Sequence, residues 1–376
     1  MTEKILVTGG AGFIGSHLVD VLLVAGYEVR IFDSLEPQVH GQLRERGGWP
    51  DYLAPECEKI LGDVRDRDAL RKAIEGVDAI FHQAAVVGVG QSMYEIQRYV
   101  DANTHGTAVL LDLLASENHR VRKLIVASSM SIYGEGKYRC AEHGEVYPRL
   151  RLDEQLAARD WEMRCPFCGQ IVEPLPTDEE KPLHPTSIYA ITKKDQEEMC
   201  LAVGRAYGIP TVALRYFNTY GPRQALSNPY TGVAAIFSSR LLNGQPPVIF
   251  EDGLQSRDFV HVSDIVQANL LAMKRDKMDY GIFNVGTGRS LTILDVAESL
   301  SQHLDSHRHP EIAQTFRAGD IRHCFADVAR IQALGYRPTV RFEDGVADLV
   351  EWIRTQTSID GFERARQELV KRGLAA

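Results

Sequence analysis

A glycine-rich segment directly after the first apolar run is the feature that most constrains the fold of this chain. Residues 4 to 8 (KILVT) read as a short buried strand, and GGAGFIG at residues 9 to 15 opens an apolar helical pattern that continues to Val24. Glycines in this spacing let the backbone approach a phosphate closely, and the N-terminus of the helix supplies positive potential. We therefore predict a dinucleotide site whose candidate residues are Gly9, Gly12, Phe13, Ile14 and Gly15.

An acidic residue stands at the end of the second predicted strand. Asp33 follows residues 27 to 32, where a carboxylate can accept hydrogen bonds from an adenosine ribose and repel a 2′-phosphate. This position favours NAD over NADP. The alternative, a tight turn and a solvated carboxylate, is less favoured because both features lie in one βαβ context.

Short apolar runs and helical patterns alternate through the first 130 residues. Within them, strands are predicted at 59–61, 79–81 and 124–127 and helices at 69–74 and 104–114. Farther along the chain, the same pattern predicts a strand at 211–217 and helices at 187–207 and 263–273. Strands that are continuous apolar runs between helices are typical of a parallel sheet covered on both faces. The predicted fold class is α/β, a doubly wound parallel sheet of the Rossmann type.

The length and an irregular central segment indicate the domain organisation. At about 150 residues per domain, the 376 residues predict two domains. Residues 135–185 hold six of the 16 prolines and three of the six cysteines and show no sustained periodicity, so we interpret them as an insertion. The first domain is then 1–217 around this insertion. Residues 218–376 form mainly a smaller α/β substrate domain, with a helix at 263–274 that returns to the first.

Charge and cysteine usage exclude several classes of protein. Lys and Arg number 42 against 51 Asp and Glu, a formal charge of −9, which opposes binding of a nucleic acid. No apolar stretch has the length of a membrane span or of a signal peptide's apolar region, so we expect a cytoplasmic protein with no membrane partner. The cysteine distribution suits reduced thiols with one metal site better than a disulfide framework.

Three polar side chains are predicted to converge at one edge of the sheet. Tyr189 and Lys193 are four residues apart on one helix and share a face, and Ser129 ends the fifth predicted strand. A phenol with a pKa of about 10 is a poor base at neutral pH, but a nearby ammonium favours the phenolate. We predict Tyr189 as the catalytic base, Lys193 as the group that lowers its pKa, and Ser129 as the donor to the substrate oxygen.

Together these motifs resemble the extended short-chain dehydrogenase/reductase superfamily, in particular its NAD-dependent nucleotide-sugar epimerases and dehydratases. The resemblance is carried by GGAGFIG, Asp33, GDVRD (62–66), HQAA (82–85), SSMSIYG (128–134), YAITK (189–193) and RYFNTYGPRQ (215–224). It implies that Asp63 contacts the adenine and that the HQAA loop lies along the cofactor. The cofactor contacts it implies beyond the glycine loop are Asp63, Val64, Ala84, Ala85, Tyr189 and Lys193.

The carboxyl half carries the sugar-nucleotide motifs of the same superfamily, SRDFVHVSD, FNVGTG and RAGDIRH. The resemblance implies a substrate site composed of Ser129, Asn218, Arg257, Arg317 and Asp320. Guanidinium groups match phosphate oxygens in bidentate geometry, which suits a diphosphate, and Arg322 lies in the same motif. Surface ion pairs are the alternative role for these arginines.

Two further expectations concern the helices around this site. Asn103 resembles the asparagine that braces the active-site helix, and we include it in the cofactor site. The resemblance also implies a homodimer through the helix near 104–114 and the helix after Tyr189. The helix near 104–114 has more apolar residues than one buried face requires: Val109, Leu110, Leu111, Leu113 and Leu114.

The two residues after Ser129 distinguish subfamilies. The 4,6-dehydratases of this superfamily carry Asp-Glu there, and the glucuronate decarboxylases carry a glutamate, whereas this chain has Met130 and Ser131. Neither side chain can move a proton for an elimination at neutral pH. This favours reversible oxidation at C4 and return of the hydride to the other face, which is the reaction of a 4-epimerase.

The insertion contains two close pairs of metal-binding residue types. Cys140 and His143 form a CxxH pair, and Cys165 and Cys168 form a CxxC pair. A closed Cys3His tetrahedron around a structural zinc can fold a segment that lacks a core of its own. Free cysteines with a surface histidine are the alternative. A nucleic-acid-binding ribbon is disfavoured by the excess of acidic over basic residues in the segment.

A Cys-rich insertion between the YG motif and YxxxK, with a second loop of the form FDSLEPQVHG, resembles the dTDP-L-rhamnose 4-epimerases, which make dTDP-6-deoxy-L-talose. A dTDP-sugar substrate rests on this resemblance alone. A UDP-hexose or UDP-uronate 4-epimerase, a dTDP-4-keto-sugar reductase and a non-catalytic NAD-binding sensor follow as alternatives. The presence of Ser129, Tyr189 and Lys193 counts against the sensor.

Overall fold

The computed structural model describes residues 2–230, 232–356 and 359–375. Its strands are β1 (Lys4–Thr8), β2 (Glu28–Asp33), β3 (Glu58–Leu61), β4 (Ala79–His82), β5 (Leu124–Ser129), β6 (Lys137–Cys140), β7 (Gly144–Val146), β8 (Glu173–Leu175), β9 (Thr211–Tyr216), β10 (Asn218–Tyr220), β11 (Val248–Ile249), β12 (Ser256–Arg257), β13 (Phe259–His261), β14 (Ile282–Val285), β15 (Leu291–Thr292), β16 (Glu311–Ile312) and β17 (His323–Cys324).

Its α-helices are α1 (Phe13–Val24), α2 (Pro37–His40), α3 (Arg67–Ile74), α4 (Val89–Ser92), α5 (Ile96–Tyr99), α6 (Gly106–Ser116), α7 (Asp153–Ala157), α8 (Ile188–Tyr207), α9 (Val233–Leu242), α10 (Val262–Lys274), α11 (Ile293–His303), α12 (Ala329–Gln332), α13 (Phe342–Arg354) and α14 (Phe362–Lys371). A π-helical stretch, Val100–His105, joins α5 to α6. Within the described residues, no helix is both long and apolar enough to cross a membrane.

A parallel sheet of seven strands forms the centre of the described chain, in the order β14-β9-β5-β4-β1-β2-β3. Val7 of β1 pairs with Ile31 of β2 on one side and with Phe81 of β4 on the other, and all three side chains are buried. Strands that are apolar on both faces need helices on both faces. The predicted doubly wound Rossmann-type sheet is confirmed.

The sheet order reverses at β1, and this reversal positions the ligand site. The chain runs outward from β1 through β2 to β3 and then crosses to β4 on the opposite side of β1. In open α/β sheets, ligands bind outside the carboxyl ends of the strands at such a point. Gly9, Asp33, Ala84 and Ser129 stand at or just after the carboxyl ends of β1, β2, β4 and β5.

Two helical layers cover the sheet. Helices α1 and α10 pack together on one face, and α3, α6 and α8 pack on the other. The apolar cluster of α6 is buried inside the second layer: Val109, Leu110, Leu111, Leu113 and Leu114. The argument that this cluster leaves an apolar outer face for a partner is therefore wrong, because its members pack against the chain's own sheet and helices.

The smaller lobe has its own core, formed by α9, α11 and α13. The boundary between the lobes differs from the prediction at β14, which pairs with β9 at the edge of the large sheet and packs against α12. Its sequence belongs to the FNVGTG motif that we assigned to the smaller domain. Four residues are too short to show a strand period beside that motif.

The insertion contains an antiparallel sheet in the order β7-β6-β8, and α7 comes between β7 and β8 in the chain. It is fixed to the smaller lobe by backbone hydrogen bonds, from Gly136 N to His323 O (2.9 Å) and from Thr177 N to Phe325 O (2.8 Å). A buried ion pair joins Arg151 to Glu251 at 2.8 Å. The insertion therefore packs firmly on the smaller lobe.

Candidate active site

A cleft of about 890 Å³ runs along the carboxyl edge of the sheet and continues between the lobes. It is lined by nearly all residues that the sequence proposed for cofactor and substrate: Gly9, Gly12, Phe13, Ile14, Gly15, Asp33, Asp63, Val64, Ala84, Ala85, Ser129, Tyr189, Lys193, Asn218, Arg257, Arg317 and Asp320. Asn103 is the exception. The residues predicted for cofactor and for substrate therefore line one continuous cleft.

The glycine loop is shaped for close approach of a ligand. Gly9 has a φ of +69°, and a Cβ there would lie 2.8 Å from the backbone nitrogen of Ala84. Helix α1 begins directly after Gly12, which offers no side-chain cap, so its first amides are free to bind an anion. The loop and helix end fit the diphosphate of NAD.

Asp33 is fixed at the cofactor end of the cleft. Its carboxylate accepts hydrogen bonds from Ala11 N (3.0 Å) and Leu35 N (2.8 Å). Burial raises the pKa of Asp33. The carboxylate oxygens retain lone pairs for a ribose diol. Asp63 lies farther along the cleft, and the guanidinium of Arg65 holds the pKa of Asp63 below its usual value.

Ser129 and Tyr189, the predicted catalytic pair, are hydrogen-bonded to each other. Burial raises the pKa of Tyr189 to about 12, against a hydrogen bond with Ser129 that lowers it. Ser187 caps α8 by accepting from Ala190 N at 3.1 Å, and Ser92 Oγ accepts from Tyr189 N at 3.0 Å. These contacts hold the start of α8 against α4, and the hydrogen bond to Ser129 places the Tyr189 hydroxyl at the end of β5.

The sequence predicts that Lys193 lowers the pKa of Tyr189, but in the structure its hydrogen-bond partner is Gln196. Its ammonium donates to Gln196 Oε1 at 2.8 Å, and the shift of the Tyr189 pKa arises from burial and Ser129 rather than from Lys193. Gln196 in turn donates to Thr107 Oγ1 (2.8 Å), which lies 3.0 Å from His82 Nε2. This buried network orients Lys193, and of its members sequence reasoning named His82, within HQAA, but missed Gln196 and Thr107.

Asn103 acts on the cleft only through its neighbours. Its amide donates to Val86 O and Thr192 Oγ1, both at 3.0 Å, and its Oδ1 accepts from Val86 N at 2.8 Å. The side chain is fully buried and does not line the cleft. The assignment of Asn103 to cofactor binding is corrected to a bracing role between the 84–87 loop and α8.

A family described as the NAD dependent epimerase/dehydratase family matches residues 5–150 and 168–286. The chain belongs to this family. A dTDP-L-rhamnose 4-epimerase of Burkholderia thailandensis is 35% identical over 93% of this chain and 95% of the relative. A putative UDP-glucose 4-epimerase of Methanocaldococcus jannaschii is 32% identical over 93% and 98%. The prediction of an NAD-dependent epimerase, an isomerase by class, is confirmed.

Solved structures agree with this membership. A UDP-N-acetylglucosamine 4-epimerase of Methanobrevibacter ruminantium superposes with a TM-score of 0.75 at 32% identity, over 95% of this chain and all of that one. A UDP-glucuronic acid 4-epimerase of Bacillus cereus, solved with NAD, gives 0.74 at 27% identity, over 93% and 99%. The fold is thus that of the epimerases throughout.

The second half of the enzyme's cleft carries the candidate substrate residues. Asn218 has a buried Oδ1 with no hydrogen-bond partner in the described chain. Arg257 donates to the carbonyls of Ser256, Ile321 and Arg322, and Arg317 donates to Asp320 at 2.8 Å. Asn218 therefore has an acceptor available for a ligand, and the two arginines are oriented by the wall of the site.

Arg322 has a structural role, because its guanidinium forms buried ion pairs. Its guanidinium is fully buried and pairs with Asp252 (2.6 Å), Glu162 (2.6 Å) and Glu251 (3.1 Å). It does not line the cleft. Its charge is neutralised by carboxylates from the insertion and the smaller lobe, so it is unavailable to a diphosphate.

The four predicted metal-binding side chains of the insertion come together. Their ligand atoms all lie within 4.8 Å of one another: Cys140, His143, Cys165 and Cys168. Cys140 Sγ is 3.6 Å from Cys168 Sγ and 3.5 Å from His143 Nδ1, and Cys165 Sγ is 3.7 Å from His143 Nδ1. The spacing of the two pairs predicted this cluster correctly.

Proposed function

We propose that the chain is a nucleotide-sugar 4-epimerase that oxidises C4 of its substrate reversibly. The observation that carries the proposal is the pairing of Ser129 with Tyr189 in a cleft where Met130 and Ser131 are the neighbours of the reactive serine. Ser131 Oγ donates to Ser129 Oγ at 2.9 Å. Neither Met130 nor Ser131 carries a side chain that titrates near neutral pH, so these two residues cannot supply the acid that an elimination needs, whereas Tyr189 can act as the base for one hydroxyl.

The chain's own residues supply the proton chemistry. Ser129 hydrogen-bonds the substrate C4 oxygen, and Tyr189 accepts its proton as the C4–H bond breaks. The glycine loop and Asp33 would hold NAD, which would supply the acceptor and donor for the C4 hydride. Lys193 lies one helical turn from Tyr189 and lines the same cleft, and we propose that its positive charge favours the Tyr189 phenolate during the reaction. Inversion at C4 requires the 4-keto sugar to rotate so that its opposite face receives the hydride, while Tyr189 returns the proton to the C4 oxygen.

The substrate we propose is dTDP-L-rhamnose, converted to dTDP-6-deoxy-L-talose. This rests on the relative of that activity at 35% identity and on the Cys-rich insertion. A UDP-hexose or UDP-uronate is the second candidate, favoured by relatives and solved structures named for such substrates. Both candidates use the same C4 chemistry.

Isotope labelling at C4 tests the reaction and the substrate together. Starting from dTDP-L-rhamnose deuterated at C4, the product should be the C4 epimer with the deuterium retained, and no added NADH should be needed. Matched UDP-sugars deuterated at C4 serve as parallel substrates, with products resolved by proton NMR. Loss of the label to solvent, or solvent deuterium at C5, would rule out hydride return at C4.

We further propose that the cluster of Cys140, His143, Cys165 and Cys168 binds a structural zinc ion. In a tetrahedron with Zn–S of about 2.3 Å and Zn–N of about 2.1 Å, ligand atoms are about 3.5 to 3.8 Å apart. Three separations in the cluster, 3.5, 3.6 and 3.7 Å, fit this geometry, and all four ligand atoms lie within 4.8 Å of one another. The core of the insertion is small, so metal binding would supply stability that packing does not.

A homodimer remains part of the proposal, on a different surface from the buried α6 cluster. Three apolar side chains on helices beside the active site are well exposed: Ile96 on α5, Val100 at the start of the π-helical stretch and Ile191 on α8. Helix α8 packs directly against α5 and the π-helical stretch. We propose that these outward side chains form the seam with a second copy of the chain.

A further inference from the structure

The C-terminal helix α14 lies across the cleft and contacts both lobes. On the side of the smaller lobe, Phe362 packs on Phe250 with ring centroids 6.5 Å apart. On the other side, Arg372 lies 4.4 Å over the ring of Tyr94, and Leu369 packs beside Gly90. A helix held at both ends in this way forms a wall of the site.

The segment after α14 reinforces this arrangement. Ala318 N donates to Leu374 O at 2.9 Å, and Arg317 pairs with Ala375 in an antiparallel bridge. Arg317 also stacks on Phe250, with its guanidinium carbon 4.7 Å from the ring centre. The C-terminal segment and the candidate substrate residue Arg317 therefore share one small substructure around Phe250.

Arg366 stands out within this substructure. It lines the cleft and is half-buried, and it follows Phe362 by four residues, so the two side chains share a face of α14. The other cleft arginines are engaged: Arg65 with Asp63, Arg98 with Glu36, Arg317 with Asp320, and Arg257 with carbonyls. In the described part of the chain, Arg366 has no hydrogen bond, ion pair or ring contact.

We propose that Arg366 is a substrate-binding residue that contacts the diphosphate of the nucleotide sugar. An unpaired guanidinium in a cleft attracts a multiply charged anion, and it matches phosphate oxygens in bidentate geometry. Phe362, one helical turn before Arg366, packs on the same Phe250 ring on which Arg317 stacks, so we place Arg366 in the substrate half of the cleft. The proposal rests on the proposed function for the identity of the ligand.

Nucleotide binding to the purified, cofactor-loaded enzyme tests this role without relying on turnover. In calorimetric titrations, Arg366→Ala should weaken binding of dTDP or UDP about tenfold and of the corresponding nucleoside less than twofold, since only the diphosphate meets the guanidinium. Arg366→Lys should recover part of the loss. Raising the salt concentration should shrink the difference from wild type, because the contact is partly exposed.

Arg364→Ala is the matched control, because Arg364 is exposed on the same helix and does not line the cleft. It should bind dTDP and UDP as wild type does. Equal affinity of Arg366→Ala and wild type for both diphosphates would overturn the inference, as would an equal loss for diphosphate and nucleoside. Wild-type enzyme that binds neither diphosphate would refute the proposed function as well, and this outcome is distinguishable from the others.

Discussion

Lys193 imposes a stability cost that its replacement should remove. Burial of the ammonium lowers the pKa of Lys193 to about 8, from 10.5. Since one pH unit corresponds to about 1.4 kcal/mol, the buried charge costs about 3 kcal/mol at neutral pH. Lys193→Met removes the charge and keeps most of the side-chain length. It should raise the free energy of unfolding by up to about 3 kcal/mol at pH 7 while abolishing turnover.

The pH dependence separates this effect from changes in packing. Because the folded pKa lies below the unfolded one, the unfolded chain holds more protons between about pH 8 and pH 10.5, and wild-type stability rises across that window. Above pH 10.5, the Lys193 side chain is neutral in both the folded and the unfolded chain, so its burial no longer lowers the stability. The difference in the free energy of unfolding between Lys193→Met and wild type should therefore decrease by about 3 kcal/mol between about pH 8 and pH 10.5. The lost hydrogen bond to Gln196 lowers the advantage at every pH.

Urea unfolding of cofactor-free protein at pH 7, 8, 9 and 10 measures this difference directly. Lys194→Met is the matched control, because Lys194 lies on the same helix with a partly exposed side chain that pairs with Glu198 at 3.3 Å. It should show no such trend. A stability difference between wild type and Lys193→Met that does not change with pH would refute the buried ammonium as its source.

Tyr189→Phe should keep its ring packing and the bound cofactor but lower kcat at least about a thousandfold, because it removes the proposed base; near-normal product formation would contradict the assignment. Metal analysis should find about one zinc per chain, lost in Cys165→Ser while the cofactor is retained, and metal-free wild type with unchanged thermal stability would rule the site out. Ile191→Glu should convert a dimer to a monomer in light scattering. The control Leu242→Glu, at an exposed leucine on α9, should have no such effect.

The sequence was sufficient wherever a local pattern determines position. Ser129 could be placed because strands of a parallel sheet end at one edge, and Tyr189 and Lys193 because helical periodicity puts them on one face. The two short spacings identified Cys140 with His143, and Cys165 with Cys168, as pairs of metal-binding residue types. In each case the information lies within a few residues of the side chain concerned.

The sequence was insufficient where a side chain's partner lies far along the chain. Gln196 contacts His82, 114 residues away, and each is an ordinary polar residue in its own segment. In RAGDIRH, the spacing does not say which arginine faces the cleft. Arg317 does, whereas Arg322 turns to Glu251 and Asp252, which lie about seventy residues earlier in the chain. Contacts between residues that are far apart in the sequence determine the roles of Gln196 and Arg322.

The order in which the chain is synthesised gives the insertion's contacts a further consequence. Arg322 N donates to Glu135 Oε1 at 2.7 Å, and the two residues are 187 positions apart. During translation from the N-terminus, the insertion emerges well before the residues of the smaller lobe that hold it. Its buried apolar cluster is small: Tyr138, Cys140, Val146, Met163, Cys165 and Val172. A metal ion held by residues 140 to 168 would stabilise the nascent insertion during that interval, so metal supply would act on the yield of folded enzyme as well as on its final stability.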